Sequence, residues 1–519
     1  MHQRVLIVGG GPVGLVLGCE LLRQGVEVRL VDADRRPSQH SRSNVIWSRS
    51  LELLDRVGVV DALLDGGHQC DGLAYYSYGR HLGSTLVRRL DNLLYPFALM
   101  IPQSDTETVL RGRLEELGGQ IERGVRLTGL DTSGGRPEAK LEHADGTVEE
   151  TTADWLIGAD GAHSTVRKEL AIDYQGPQVN VSIAITDAVM DTALDERLAH
   201  HCYSRTGALV LAPLGGARYR IAVSVPHTED ATPPSRALFQ ELVDDRAPGT
   251  NTVGSLNWST VHRIRCATAA TFRHGRCFLV GDAAHIVSPA AGQGMNTGIQ
   301  DAVNLGWKLG GVLRGTLDAR VLDSYDAERR PVVHQVARAA ALQTRFGVVG
   351  SRYKIAVRDT AVRAAHRTGL LQRYVAPQLS QADVHYGERP RRRLPLPGRP
   401  DPAPEGARLP LRLGGAPGAV PGAGHWPAIA ADTFTVLLWP GRAAGNPRWG
   451  TAKDRARASL PEGVASLDVP ASAPRALAAA LGTAPAAVLV RPDGHVLARV
   501  GMGDPGAVGQ AVGRAMREL

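Results

Sequence analysis

Residues 281–296 read Gly-Asp-Ala-Ala-His-Ile-Val-Ser-Pro-Ala-Ala-Gly-Gln-Gly-Met-Asn, a glycine-and-carboxylate turn that runs into a helix-forming stretch. Short side chains at Gly281, Ala283 and Ala284 let a ligand approach the main chain, and Asp282 supplies an acceptor for a sugar or amide group. Gly292-Gln293-Gly294-Met295-Asn296 then opens a helix whose first amides lack intrahelical partners, a setting that favours an anion or a polarised carbonyl. Far upstream, Gly9-Gly10-Gly11-Pro12-Val13-Gly14 matches Gly-x-Gly-x-x-Gly directly after an apolar run. In that pattern Gly9 permits the tight turn, Gly11 lets the chain touch a pyrophosphate, and Gly14 allows close helix–strand packing. Asp32 follows about twenty residues on, where a ribose hydroxyl is read. Two such turns in one chain imply one long ligand.

A third turn lies between them. Trp155-Leu156-Ile157-Gly158-Ala159-Asp160-Gly161-Ala162-His163-Ser164-Thr165-Val166-Arg167 is an apolar strand signal ending in Asp-Gly, followed by a helix start at Ser164. Gly501-Met502-Gly503-Asp504-Pro505-Gly506 repeats the glycine spacing, but too little chain follows for a second strand and an acid. It is read as an ordinary turn.

These turns need strands to end on and helices to begin. Val5–Val8, helix-like Leu15–Gln24 and β-type Glu27–Val31 form a βαβ start. Helical spacing recurs over 44–65 and over Thr106–Leu117. Between about 172 and 270 the texture turns to β-type segments separated by Gly and Pro, predicting an inserted sheet domain. Cys277–Val280 returns to a buried strand, and helical patterning runs on to roughly 380. The resulting division is α/β: a discontinuous Rossmann-type nucleotide-binding domain (1–171 and 271–385), a substrate-binding sheet domain (172–270), a Pro/Gly-rich linker (386–427) and a small α/β unit (428–519).

Composition narrows the classes. A length of 519 residues predicts two or three domains, enough to bury a large ligand. The +7 net charge is scattered rather than gathered in basic runs, so it favours anionic small ligands over nucleic acid. Cys19, Cys70, Cys202, Cys266 and Cys277 are odd in number and contain no Cys-x-x-Cys, which fits a reducing cytoplasm. No apolar run is long enough to span a bilayer, and neither export nor membrane insertion is expected. His200-His201-Cys202 lacks further ligands at metal-site spacing, and neighbouring strand residues face opposite ways, so no metal is expected and a structural role is preferred. His285 fits packing at least as well as chemistry, and Cys19 reads as a small core residue.

The ordered trio of Gly-x-Gly-x-x-Gly, Gly-Ala-Asp-Gly-x-x-Ser-x-x-Arg and Gly-Asp-Ala-Ala-His resembles the FAD-dependent aromatic hydroxylases, the group A flavoprotein monooxygenases built like para-hydroxybenzoate hydroxylase. The resemblance covers residues 1 to about 380. It implies FAD as cofactor, NADPH or NADH as transient electron donor, and dioxygen and a phenolic or polycyclic aromatic, polyketide-like compound as substrates. It further implies hydroxylation through a C4a-hydroperoxyflavin, by a cytoplasmic monomer or homodimer of secondary metabolism. Asp32 would hold the adenosine ribose, Asp160 would serve FAD and the nicotinamide, and Asp282 would hold the ribityl or pyrophosphate portion. Arg42 and Gln103 match family positions at the cofactor, and Pro12, Val13, Ala33, Pro289 and Met295 join the expected contacts. Backbone amides of the Gly292–Asn296 stretch would stabilise negative charge on the reduced flavin. The family often carries a second histidine and a double glycine where this chain has Val287, Ser288 and Ala291.

No Trp-x-Trp-x-Ile-Pro halogenase element occurs, while Baeyer–Villiger oxygenation and a non-oxygenating flavin-binding module stay as alternatives. No catalytic base is assigned: Tyr76, Tyr78 and Arg205 read as structural. The tail around Val488–Gly494 is similar to the thioredoxin-like C-terminal domain of a subset of these hydroxylases, and without a cysteine pair it implies packing or assembly rather than disulfide exchange.

Overall fold

The computed structural model describes residues 2–37, 43–176, 178–226, 232–289, 292–347, 349, 351–387, 402–413 and 426–519. Apolar runs bounded by glycine form the centre of a parallel core of five strands among the described residues, with Ile121–Arg123 on the outer side of Arg29–Asp32. His2–Val8 lies between Val148–Gly158 and Arg29–Asp32, and Val148–Gly158 pairs on its other edge with Cys277–Leu279. Their register aligns Val8 with Gly158 and Gly158 with Leu279, so the three glycine turns leave the sheet side by side. Ligands of open α/β sheets bind at that carboxyl edge. Far-separated motifs converge because parallel strands all point their ends the same way.

The helices that follow are buried. Pro12–Leu22 packs against the 21-residue helix Gln293–Leu313, which carries Asp301, Asn304 and Lys308 within the interior.

A second sheet combines strands of the 178–265 stretch with two from the first hundred residues. Seven strands run in the order Asn251–Arg265, Gln178–Thr192, Arg218–Pro226, Ala208–Gly215, Leu198–Tyr203, Gly72–Ser77 and Arg80–Leu86. Leu198–Tyr203 pairs in parallel with Gly72–Ser77, so a hairpin from the first hundred residues extends it. An exposed strand edge requires a partner, and long-range pairing leaves no periodicity to read. One face is covered by Arg236–Arg246, whose Phe239 and Val243 pack on Cys202, Leu209, Leu211, Ile221 and Val223. The alternate residues face the other way, toward the nucleotide-binding unit.

Within the stretch expected to be weakly structured, 388–401 and 414–425 lie outside the described residues, and 402–413 is packed. Leu409, Leu411 and Leu413 are buried with period two, and Arg408 forms a buried ion pair with Glu52. Abundant Pro and Arg masked that alternation. Arg412–Leu413 pairs in parallel with Ala428–Ile429.

The last unit is a four-stranded sheet ordered Ala465–Asp468, Thr435–Trp439, Ala486–Val490, Val496–Gly501, the first pair parallel and the others antiparallel. Its Arg491–Asp493 turn reaches into the nucleotide-binding unit. Gly501–Gly506 forms a strand end and short turn before the helix Val508–Glu518.

Candidate functional site

A cavity of ≈720 Å³ separates the carboxyl edge of the parallel sheet from the uncovered face of the seven-stranded sheet. Gly11, Pro12 and Val13 line it from the first turn, Ala159, Gly161 and Ala162 from the second, and Asp282 from the third. Pro289, Gly292, Gly294 and Met295 line it at the start of the long helix, with Gln103 nearby. Thus the three turns share one cleft.

Local geometry explains the glycines. Gly9 has φ +113°, and a Cβ there would collide with the Ala159 carbonyl of the adjacent turn. Gly292 caps the long helix at φ +61°, and a Cβ would strike Val45. Gly11 has no heavy atom within 4 Å of an added Cβ, so open space for a ligand adjoins its main chain.

Several expected contacts are occupied by protein. Asp32 accepts from the Gly10 amide (2.6 Å) and the Asp34 amide (2.8 Å), with Arg123 at 3.8 Å; it braces the first turn, while Asp34 lines the cavity. Asp160 accepts from Ser164 Oγ (2.5 Å) and the amides of Thr165 (2.7 Å) and Val166 (3.1 Å), so its carboxylate caps the helix Thr165–Glu169. Burial raises its pKa against these hydrogen bonds. Gln293 donates to the Leu379 carbonyl (3.2 Å) and accepts from Gln381 (2.6 Å). Asn296 accepts from the Trp47 amide (2.8 Å) and donates to the carbonyls of Val45 (2.9 Å) and Gly292 (2.8 Å), pinning the 45–47 segment to the helix start. Gly9, Gly14, Ala33 and Gly281 stand behind the lining rather than in it. Arg42 and Ala291 lie outside the described residues.

Sequence reasoning missed the bonds that tie the turns together. Arg167 is buried, donates to the carbonyls of Ala283 (2.8 Å) and Ala162 (3.0 Å), and lies 3.7 Å over the Tyr174 ring. Tyr174 donates to the Asp282 carbonyl at 3.0 Å. Replacing Arg167 by methionine should cost about 2–3 kcal/mol, because two carbonyls lose a charged donor. Thermal melting and the FAD content of the purified variant check this. His285 is buried with Nε2 2.5 Å from Asp301 Oδ2, which makes it a brace and not a lining group.

Across the cleft, Ile183 and Ile185, Ala199, His201 and Tyr203, Ala208, Val210 and Ala212, and Arg220, Ala222 and Ser224 face inward at period two. His200 turns to the opposite face, with Nε2 3.0 Å from the Asp195 carbonyl, and Cys202 packs there too. The alternation expected of His200-His201-Cys202 holds, and it places His201 in the cavity wall. Tyr76, Tyr78 and Arg205 do not line the cavity. Among the described residues no group of three or more His, Cys, Asp or Glu could hold a metal ion, and no helix is long and apolar enough to cross a membrane.

An extended dinucleotide fits these residues. Gly11 leaves room for it, the amides of a long helix open onto the cavity, and buried Asn44 Nδ2 in the lining has no hydrogen-bond partner among the described residues.

Comparison with known proteins agrees. The FAD binding domain family matches residues 2–340. The 6-methylpretetramide 4-monooxygenase of Streptomyces rimosus is 36% identical over 403 residues, 75% of this chain and 70% of its own length. The 12-dehydrotetracycline 5-monooxygenase/anhydrotetracycline 6-monooxygenase of Streptomyces rimosus subsp. rimosus is 31% identical over 519 residues, 96% of this chain and 95% of its own. The solved structure of anhydrotetracycline hydroxylase from Streptomyces rimosus superposes with TM-score 0.75 at 28% identity, covering 100% of this chain and 99% of that one. The fold is that of the para-hydroxybenzoate hydroxylase-like flavoproteins. This chain belongs to the FAD binding domain family and is an FAD-dependent monooxygenase.

Proposed function

We propose that the protein hydroxylates a phenolic or polycyclic aromatic, polyketide-like substrate, taking electrons transiently from NADPH or NADH. The observation that carries this reading is the inner face of the seven-stranded sheet. Ala199, Ala208, Val210, Ala212 and Ala222 pave it with small apolar side chains opposite the start of the helix Gln293–Leu313. A flat ring system would fit between that wall and the start of the helix, where Gly292, Gly294 and Met295 would hold the flavin. FAD, when bound, supplies electron storage and activation of dioxygen. The protein orients the rings, excludes water and stabilises negative charge on the cofactor through the helix N-terminus.

In this reading Gly11, Pro12 and Val13 hold the pyrophosphate portion, and Asp34 and Gln103 approach the cofactor from the cavity rim. Asp32 and Asp160 shape the turns that receive it. The domain division at 1–171 with 271–385, 172–270 and 428–519 is kept, with the Gly72–Leu86 hairpin added to the sheet unit. The strand order of the last unit supports a thioredoxin-like domain without a redox cysteine pair. The five free thiols support a cytoplasmic setting, and the protein acts as a monomer or homodimer.

The test is oxygen-dependent oxidation of NADPH and NADH by the flavin-loaded protein, with and without hydroxylated polycyclic aromatics, followed by product mass. One added oxygen with the rings intact supports the reading; ring expansion or absence of aromatic-stimulated turnover refutes it. Asp282 lines the cavity beside the third turn, and Asp282→Ala should weaken FAD retention about tenfold. Flavin content equal to the wild type after dialysis would remove Asp282 from the cofactor site.

A further inference from the structure

We infer that His201 is the residue that recognises a hydroxyl group on the aromatic substrate, an assignment that rests on the aromatic-hydroxylase reading above. The sheet register sets His201 in a row with Tyr75 on one side and Val210, Ala222 and Ile185 on the other. The residue is 9% exposed and lines the cavity, and its imidazole meets Tyr75 edge-on at 6.0 Å between ring centroids. Among the described residues it has no hydrogen-bond partner.

Arg220 and three hydroxyls of the same cavity wall are held by protein partners. Arg220 binds Asp187 through Nε and Nη2 and lies 5.1 Å over Trp258, whose Nε1 also donates to Asp187 (3.1 Å). Ser224 Oγ accepts from the Ala208 amide (2.8 Å), Ser259 Oγ donates to the Pro234 carbonyl (2.9 Å), and Thr344 Oγ1 pairs with Ser288 Oγ (2.7 Å). A buried imidazole with unused hydrogen-bonding capacity, amid small apolar side chains, lacks only a ligand to complete it.

Burial, aided by His200, pushes the His201 pKa down to about 4, so the ring is neutral at physiological pH. A neutral ring has one acceptor nitrogen and one donor, which suits a phenol or an enol next to a ketone. Burial raises the pKa of Tyr75, to about 12, and of Tyr203, so neither places a negative charge beside it. Tyr203 lies two residues on and shares the face, so it is the natural control.

The experiment compares binding of a dihydroxynaphthalene and its dimethyl ether to flavin-loaded protein, by fluorescence titration, in wild type, His201→Phe, His201→Gln and Tyr203→Phe. Flavin content and melting temperature verify that each variant is folded. Wild type should prefer the diol by about tenfold, the preference should vanish in His201→Phe, and His201→Gln, which keeps an acceptor, should retain part of it. Three results overturn the assignment while leaving the hydroxylase reading intact: equal binding of both compounds by wild type, an undiminished preference in folded His201→Phe, or a loss confined to Tyr203→Phe. Binding of neither compound by flavin-loaded wild type overturns the assignment and the polycyclic-substrate reading together.

Discussion

Replacing Asp301 with alanine is expected to remove about 3–5 kcal/mol of stability and to release FAD, the largest effect of any single change near the site. Asp301 is fully buried on the long helix. Its Oδ1 accepts from Arg329 Nε at 2.7 Å, and its Oδ2 meets His285 Nε2 at 2.5 Å and the Gly281 amide at 3.2 Å. Burial works against ionisation, but His285 and Arg329 outweigh it and hold the carboxyl below its usual range. Among the described residues, alanine would leave the buried Arg329 guanidinium with the Thr297 carbonyl (3.1 Å) and the Tyr386 hydroxyl (3.3 Å) as its hydrogen-bond partners. It would also free the Gly281 amide, at the base of the turn that presents Asp282. Asp301→Asn keeps the shape and an acceptor and should lose less. Denaturant unfolding together with flavin content measures both effects; an alanine variant with wild-type stability and full flavin would show that this network does not hold the turn.

Arg491→Met is expected to cost a comparable 3–5 kcal/mol, about enough to loosen the last unit from the rest of the protein. Arg491 makes a two-pronged ion pair with Glu328 (2.6 and 2.9 Å) and two further bonds to Asp493 (2.7 and 3.1 Å), all buried. It lies 5.1 Å over Trp307 and 4.8 Å over Tyr386. The same turn receives Arg56 on the Pro492 carbonyl and Arg49 on the Asp493 carbonyl, both at 2.6 Å. Methionine fills the volume yet leaves two buried carboxylates short of a cation. A lower melting temperature and faster proteolysis within 426–519 would register the loss; unchanged proteolysis would mean that docking rests on apolar contact alone.

The same pair sets an acid limit. Burial opposes ionisation of Glu328, but Arg491 and Lys308 prevail and lower its pKa to about 2. Its contribution is therefore complete above the ordinary glutamate value of 4.5 and is lost as pH falls through about 2. In Arg491→Met this part of the acid sensitivity should shrink, because the carboxyl has lost the partner that favoured its charge.

The three glycine turns were legible because their information is local. Gly9, Asp160 and Gly281 each follow an apolar strand, and a strand–turn–helix pattern needs only neighbours in sequence. Period two likewise told that His200 and His201 point apart, although not which one meets a ligand. Position in the chain suggests Asp32 and Asp160 as ligand groups, and the structure adds that both carboxylates bond to main-chain amides of their own turns. Spacing places a carboxylate near a turn but does not say which donors reach it first.

The amino-acid order by itself determined the strands, the turns at their carboxyl ends and the helix starts that follow, since backbone conformation and hydrophobic period act over a few residues. Only the tertiary structure decided that Gly72–Ser77 joins the distant Leu198–Tyr203, that Arg167 clasps Ala283, that Asp301 meets Arg329, and that Arg491 reaches Glu328. Those pairings depend on how whole elements pack and on which buried charges must find partners in a medium of low dielectric, and no short stretch of chain encodes that.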